Sequence, residues 1–579
     1  MLVYRTQRRN ALTAPMLARL RRSLARAERS GATSHDQVTE WLIDFGEFEA
    51  GVMDALCPEA DADSRTARTL RKAAILFGHA FADSWEKKPG EVARRLPDIA
   101  HILDELAEAE LPVSAPVSPP EGYAYYGLFP ETYLESANAF FLESRPLRAV
   151  CVGVRSIGAS LSAVVGAVLE RRGVTVKSYT ARPRGHPFDR RLWLDPRLAE
   201  EWRSLADSHF LIVDEGPGLS GSSLCCLAQK LAELGVPDAR VVFFPSWLPD
   251  GSQFVNQKSR ELWGRRRKYA TDFERVWIDS GRLTRDLPRG DLADISGGKW
   301  RSLFYNDEDA RPAAHPQHER RKYVLRGVQG ETAKLWLKFA GLGRYGKAKQ
   351  PRADALAAAG FAPRALGFSN GFVIMDFVNG RPLTRKDVDS ALLTKIARYL
   401  AFLKSDFGAD GDAAREEVVE MARVNVAEGL GRRWAERLAR SGILERAFDG
   451  ASACAIDGRM LPHEWLRVGD DYLKTDGLDH HDDHFYPGCQ EIAWDLAGSC
   501  VEFALDRRQA DYLVGQYRAL VHDPGVTARL PFYLIAYAAF RLGYSTMAAK
   551  ALRASPDGAK FNSLRRYYAS RLKREIDRL

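Results

Sequence analysis

No run of residues in this 579-residue chain approaches the ~20 apolar side chains that a helix needs to cross a bilayer. The opening MLVYRTQRRNALTAPML also lacks the uninterrupted apolar core of a secretory signal. A soluble cytoplasmic protein with no membrane partner is therefore expected. Cysteine is scarce: there are 7, Cys225 and Cys226 are adjacent, and none belongs to a CxxC pair. That excludes a disulfide framework and a cysteine zinc site, and leaves the thiols as small buried hydrophobes. No internal repeat and no low-complexity tract occurs.

What is present is ordinary globular composition, 45% hydrophobic and 28% charged. Single cores stop growing at ~250 to 300 residues, so three or so domains are expected. A formal charge of +8 permits a nucleic-acid partner without requiring one. The sharpest basic run, Arg265 to Lys268, reads as a solvated turn.

Residues 14 to 30 place Met16, Leu17, Leu20 and Leu24 on one helical face, and further helical patterns follow, so residues 1–115 read as an all-α module. Within it Asp44, Glu47, Glu49 and Asp54 lie close in sequence, either as a solvated helix face or as a cation site. LPVSAPVSPPEG carries four prolines and marks a boundary. Beyond it, RAVCVGV, VKSYT, HFLIVD and RVVFFPS alternate with helical stretches, the pattern of a mostly parallel sheet covered by helices. Ligands of such sheets bind beyond the carboxyl ends of the strands.

In FLIVDEGPGLSGSSL, residues 210–224, a strand is followed by Asp214 and Glu215, then by a loop rich in glycine and serine, then by a helix start. Glycines admit backbone N–H groups to an anion, hydroxyls add donors, and the helix N-terminus adds its positive end. Adjacent carboxylates suit a ribose with Mg²⁺ on its pyrophosphate better than a bare anion. The segment resembles the phosphoribosyl-diphosphate loop of type I phosphoribosyltransferases, with Glu215 in place of the second Asp, one extra loop residue, and serines for threonines. The resemblance implies that Asp214 and Glu215 are catalytic and hold the metal, and that Gly218, Ser220, Gly221, Ser222 and Ser223 bind the phosphate. It further implies that Arg155, Ser156, Gly158 and Ser160 bind the pyrophosphate. Arg182, Arg184, His186, Arg190 and Arg191 would then form a hood. The domain so implied spans 123–250, with an irregular basic connector at 251–318.

In the remaining segment, 319–579, AKLWLKFAGLGRYG puts Lys338 in a strand pattern, RADALAAAG follows as a helix, and FAPRALGFSNGFVIMDFVNGRPL gives two strands and a turn. Then come DGRMLPHEW, LKTDGLDHHDDHF and EIAWDLAG. This order resembles the aminoglycoside-phosphotransferase-like kinases, although their His-Gly-Asp-x-x-x-x-Asn loop is absent. The resemblance implies a bilobal fold in which Lys338 meets the phosphates of ATP and Phe372 to Gly380, Asp376 included, line the adenine crevice. It also implies Asp457 as catalytic base, Asp476 and His463 as Mg²⁺ ligands, and Asp495 as a structural anchor. The run Asp479 to His484 is alternatively a transition-metal site.

The fold class expected is therefore multidomain, α/β and α+β. The function expected is a phosphoribosyl-diphosphate-using transferase fused to an ATP-dependent small-molecule phosphotransferase of one metabolic pathway. The alternative is a catalytically altered sensor or binding protein, for phosphoribosyl diphosphate or another ribose phosphate and for nucleotide, with a protein or nucleic-acid partner.

Overall fold

The computed structural model describes residues 1–31, 33–218, 220–252, 254–327, 333–409, 415–443 and 447–579. By its internal contacts the chain forms two compact units. One comprises residues 7–289 with 341–347, the other residues 1–6, 290–340 and 348–579. The first holds a parallel sheet and the second an antiparallel one. No helix among the described residues is long and apolar enough to cross a membrane.

In the parallel-sheet unit the strands lie in the order Thr175–Ala181, Arg148–Val154, His209–Val213, Val241–Phe244 and Arg267–Lys268, each parallel to its neighbours. Their residues are short β-branched and aromatic runs, and Val150, Val152, Phe210, Ile212, Val241 and Phe243 are fully buried. The four N-terminal helices, Thr13–Ser30, His35–Leu56, Arg65–Trp85 and Pro89–Glu108, belong to this same unit. Arg65–Trp85 packs on Gly158–Arg171, where a Cβ on Gly78 would stand 2.4 Å from the Ala163 carbonyl oxygen. Only the missing side chain lets the helices approach so closely.

The acidic run on His35–Leu56 is neither a solvated face nor a cation site, because arginines consume it. Glu49 accepts from Arg71 at 2.8 and 2.9 Å, Asp44 accepts from Arg19 at 3.2 Å, Glu47 pairs with Arg344, and Asp54 accepts from Arg182 at 2.9 Å. The stretch read as an irregular connector supplies the helix Gln257–Arg265 and the fifth parallel strand. Within its basic run, Arg266 is buried against Asp238 at 2.8 Å and Lys268 donates to the Trp263 carbonyl at 2.6 Å. Those charges are spent inside the protein.

The antiparallel-sheet unit begins with five strands in the order Asp291–Asp294, Lys322–Arg326, Ala333–Phe339, Phe372–Asp376 and Ala365–Ser369. Asn370 and Gly371, with φ of 50° and 83°, make the tight turn between the last two strands in sequence, the Asn-Gly pair being suited to positive φ at both positions. A small sheet, Arg381–Pro382 with the hairpin Trp465–Val468 and Asp471–Lys474, follows. The rest is mostly helical, packed on a core that includes Tyr399, Leu400, Trp465, Trp494 and Tyr537. Residues 1–6 add to this unit: the Arg5 N–H donates to the His484 carbonyl at 2.9 Å, and Leu2 and Asn425 exchange hydrogen bonds of 2.7 and 2.8 Å.

Candidate functional site

In the parallel-sheet unit, strands Arg148–Val154 and His209–Val213 are neighbours, so the loops that leave their carboxyl ends lie side by side. This is where the sequence places the pyrophosphate and ribose-phosphate loops. Gly158 is required there, since a Cβ would meet the Val213 carbonyl oxygen at 2.5 Å. The second loop closes on itself, the Gly221 N–H donating to the Pro217 carbonyl at 2.9 Å, and Gly221, at φ 61°, starts the helix Ser222–Glu233 under the ring of Phe254. Leu219 of this loop lies outside the described residues.

Ser156, Ser160, Arg182, Arg184 and Arg190 line one cavity, but most of the expected ligand groups are already held by protein partners. Arg155 is buried in ion pairs with Asp61 and with Asp54, the latter at 3.4 Å, and burial lowers its pKa to about 10. Arg182 donates to Asp54 at 2.9 Å through its side chain and to Asp61 at 2.7 Å through its backbone, and Arg184 reaches Asp61 at 3.1 Å. The acids that take them come from the N-terminal helical region, whose partnership no local pattern announces. Ser160 is buried on Tyr123, Ser156 sits at φ 130° facing a cavity of about 530 Å³, and Gly218 is exposed. The hood segment forms a hairpin, Arg184–His186 with Asp189–Arg191, with His186 exposed, while Arg190 donates to the Pro183 carbonyl at 3.1 Å. At its tip the Pro187 carbonyl accepts from Ser220 at 3.0 Å and from Ser222 at 2.6 Å, whereas Ser223 lies in the first helical turn.

Asp214 accepts the Glu215 N–H at 2.8 Å, and Glu215 turns inward to accept the Gly122 N–H at 3.2 Å. Burial raises the Asp214 pKa to about 6. For Glu215, burial followed by the nearby Glu121 and Asp214 raises it to about 8. Both carboxyls thus take backbone N–H groups of the protein, Glu215 with its side chain turned away from the glycine-rich loop.

The antiparallel-sheet unit contains a cavity of about 590 Å³, inside the range of small-ligand pockets. Trp336, Met375, Leu383 and Leu466 give it an apolar wall. Asp376 is at its edge, accepting from Arg364 at 2.8 Å. Lys338, on the strand Ala333–Phe339, projects into it and is held by Asp476 and by Asp479, the latter at 2.8 Å. Asp479 also pairs with Arg320 at 2.7 Å, and Asp476 stands 3.5 Å from Lys322. Burial opposes ionisation of Asp476, but Lys338 and Lys322 overcome it and hold the carboxyl well below its usual range.

Asp495 accepts the Asp457 and Gly458 N–H groups at 2.7 and 2.8 Å and anchors that loop. Asp457 itself is fully buried and absent from the cavity lining. Tyr399 donates to it at 2.7 Å, and Lys474 stands 3.2 Å away. Burial is again outweighed, by Lys474 first, and its pKa is lowered. A base so capped does not face a substrate. His463 lines the same cavity as Asp476, where it stacks on Trp300, ring centroids 5.8 Å apart, and burial pushes its pKa down to about 3. Its neighbour Glu464 joins Asp476 instead. Among the described residues Glu464, Asp476 and His480 form the set whose ligand atoms lie within 4.8 Å of one another. The run at 479–484 is otherwise committed, Asp479 to Lys338 and Arg320, Asp483 to His484 at 2.8 Å.

Lys322, Lys474, Glu464 and Arg320 are site residues that the sequence did not announce. Glu464 adjoins His463 and Lys474 lies two residues before Asp476, so their positions carried a signal. Lys322 depended on strand register, which its own segment does not fix. The wall around Trp300 and Phe304 comes from the supposed connector, tied down by Arg301 to Asp557 at 2.7 Å.

No family model and no curated protein matches the chain. Solved structures that match over about half of it include a choline kinase from Streptococcus pneumoniae. That match has 13% identity and a TM-score of 0.34, and covers 52% of this chain and 99% of that one. A choline/ethanolamine kinase family protein from Mesorhizobium loti matches with 15% identity and a TM-score of 0.31, covering 44% and 88%. A macrolide 2'-phosphotransferase from Brachybacterium faecium matches with 15% identity and a TM-score of 0.30, covering 51% and 98%. At these values the functional reading is left to the residues of the site.

Proposed function

We propose that the antiparallel-sheet unit is an ATP-binding, kinase-like module of the small-molecule phosphotransferase type, with its phosphate-binding half kept and its transfer half altered. The observation that carries this reading is Lys338, buried on a strand, lining a cavity of about 590 Å³ together with its partners Asp476 and Asp479, beside an apolar wall fit for a purine. The Tyr399 and Lys474 cap on Asp457 favours binding over transfer. A working phosphotransferase is the second reading, favoured by the room left in the same cavity beside Arg541 and Lys560 for an acceptor.

The parallel-sheet unit is proposed to bind a ribose phosphate at the paired loops. The adjacency of the two strand ends, the two glycines and the serine hydroxyls support it; the inward turn of Glu215 and the burial of Arg155 argue against transfer.

Thermal shift over a panel of nucleotides and phosphoribosyl diphosphate tests both proposals. ATP stabilises the wild type and leaves Lys338→Met unmoved, while phosphoribosyl diphosphate stabilises both proteins. Stabilisation of Lys338→Met by ATP equal to that of the wild type refutes the first assignment. Phosphate transfer to an acceptor, followed with labelled ATP, would replace the binding reading with the second.

A further inference from the structure

Lys322 and Lys338 are direct partners in the antiparallel ladder, which puts both side chains on one face of the sheet. Like charges placed so repel unless an anion lies between them, and Asp476 is that anion, paired with Lys338 and 3.5 Å from Lys322. In protein kinases the strand lysine pairs with a glutamate of the following helix, leaving the aspartate to carry Mg²⁺. Here the following helix, Gln350–Ala358, has Asp354 as its one acid, exposed and bonded to Gln350 at 2.8 Å. Its buried Arg352 donates instead to the carbonyls of Gly477 at 3.0 Å and Ala455 at 2.6 Å.

The residues do not fit Mg²⁺. That ion takes about six oxygens at roughly 2.0–2.1 Å in strict octahedral geometry. Of the set Glu464, Asp476 and His480, Glu464 is bonded to the Lys474 ammonium at 2.7 Å, and Asp476 faces two more ammonium groups. Lys474 also donates to the Asp476 carbonyl at 2.6 Å, so it stands among the oxygens a cation would need. The carboxylates have their positive partners already.

We infer that a nucleoside polyphosphate binds this cleft without a divalent cation. Lys322 joins Lys338 in neutralising the phosphates, which compete with Asp476 for the two ammonium groups. This rests on the nucleotide-binding reading above. It reverses the usual role of the aspartate: a metal-carrying Asp476 would help the nucleotide bind, whereas a competing Asp476 hinders it.

Calorimetric titration of ATP into the full chain, in EDTA and in Mg²⁺, tests it with Lys322→Gln, Lys322→Arg and Asp476→Asn, each checked for an intact thermal transition. The wild type is expected to bind equally in both media. Lys322→Gln loses about tenfold in affinity in EDTA, the worth of one charge-assisted hydrogen bond, and Lys322→Arg keeps it. Asp476→Asn binds more tightly than the wild type in EDTA. Binding that requires Mg²⁺, or that weakens in Asp476→Asn, overturns the inference and leaves the nucleotide site standing. No binding in either medium overturns both. If Asp476→Asn does not fold, the wild-type comparison and the two Lys322 variants decide.

Discussion

Lys474 illustrates how one side chain redefines a site. It bridges Glu464 and Asp457, all three being buried, so its removal takes from two buried carboxylates the ammonium they share. Breaking a buried pair by deleting one partner costs ~3 to 5 kcal/mol. Lys474→Gln is therefore expected to destabilise by that order in denaturant titration, with Glu464→Gln restoring part of the loss in the double variant. Additive losses would show that the two residues do not interact. Glu215 governs a different property. Its pKa in the folded protein, about 8, lies above the ordinary carboxyl value of 4.5, so the native state holds the proton more tightly than the unfolded chain. The stability this contributes is full below pH ~4.5 and is lost as pH rises towards about 8. The thermal midpoint of the wild type is expected to fall across that window, and Glu215→Gln to flatten the fall. An identical slope in the variant would assign the dependence to other groups.

Among the elements, the contact of Arg65–Trp85 with Gly158–Arg171 holds the N-terminal helices to the parallel sheet through Gly78. Gly78→Ala adds an atom against backbone and is expected to cost ~1 to 3 kcal/mol, or more if the helices cannot separate, read as a lowered denaturation midpoint. An unchanged midpoint would mean that the helices are free to shift. The segment Met1–Thr6 plays a comparable part in the other unit, through Leu2 on Asn425 and Arg5 on the His484 carbonyl and, at 3.0 Å, the Asp483 carbonyl. Deleting it removes several hydrogen bonds worth about 1 kcal/mol each. At ~2 to 4 °C per kcal/mol, that lowers the melting of the antiparallel-sheet unit by several degrees. Melting unchanged on deletion would make the segment an ornament.

Over the whole molecule, legibility followed the range of the interaction. Alternation of apolar β-branched runs with helical stretches is local, and it yielded four of the five parallel strands and the helix Ser222–Glu233. The Asn370-Gly371 turn was legible for the same reason, whereas the Asp495 anchor came only from the resemblance to the kinase-like family. What escaped is long-range: Asp54 and Asp61 claiming Arg155 and Arg182, Lys474 reaching Asp457, and the register that sets Lys322 against Lys338. Each unites segments whose partnership neither one encodes. The result is a pair of units in which recognisable loops carry rearranged charges, with nucleotide assigned to one of them. Hydrogen exchange of the full chain with and without saturating ATP measures that assignment directly. Slowed exchange is predicted in Lys322–Arg326, Ala333–Phe339 and residues 474–483, with residues 210–218 and 220–224 unchanged; protection confined to the latter, or none in the former, would contradict it.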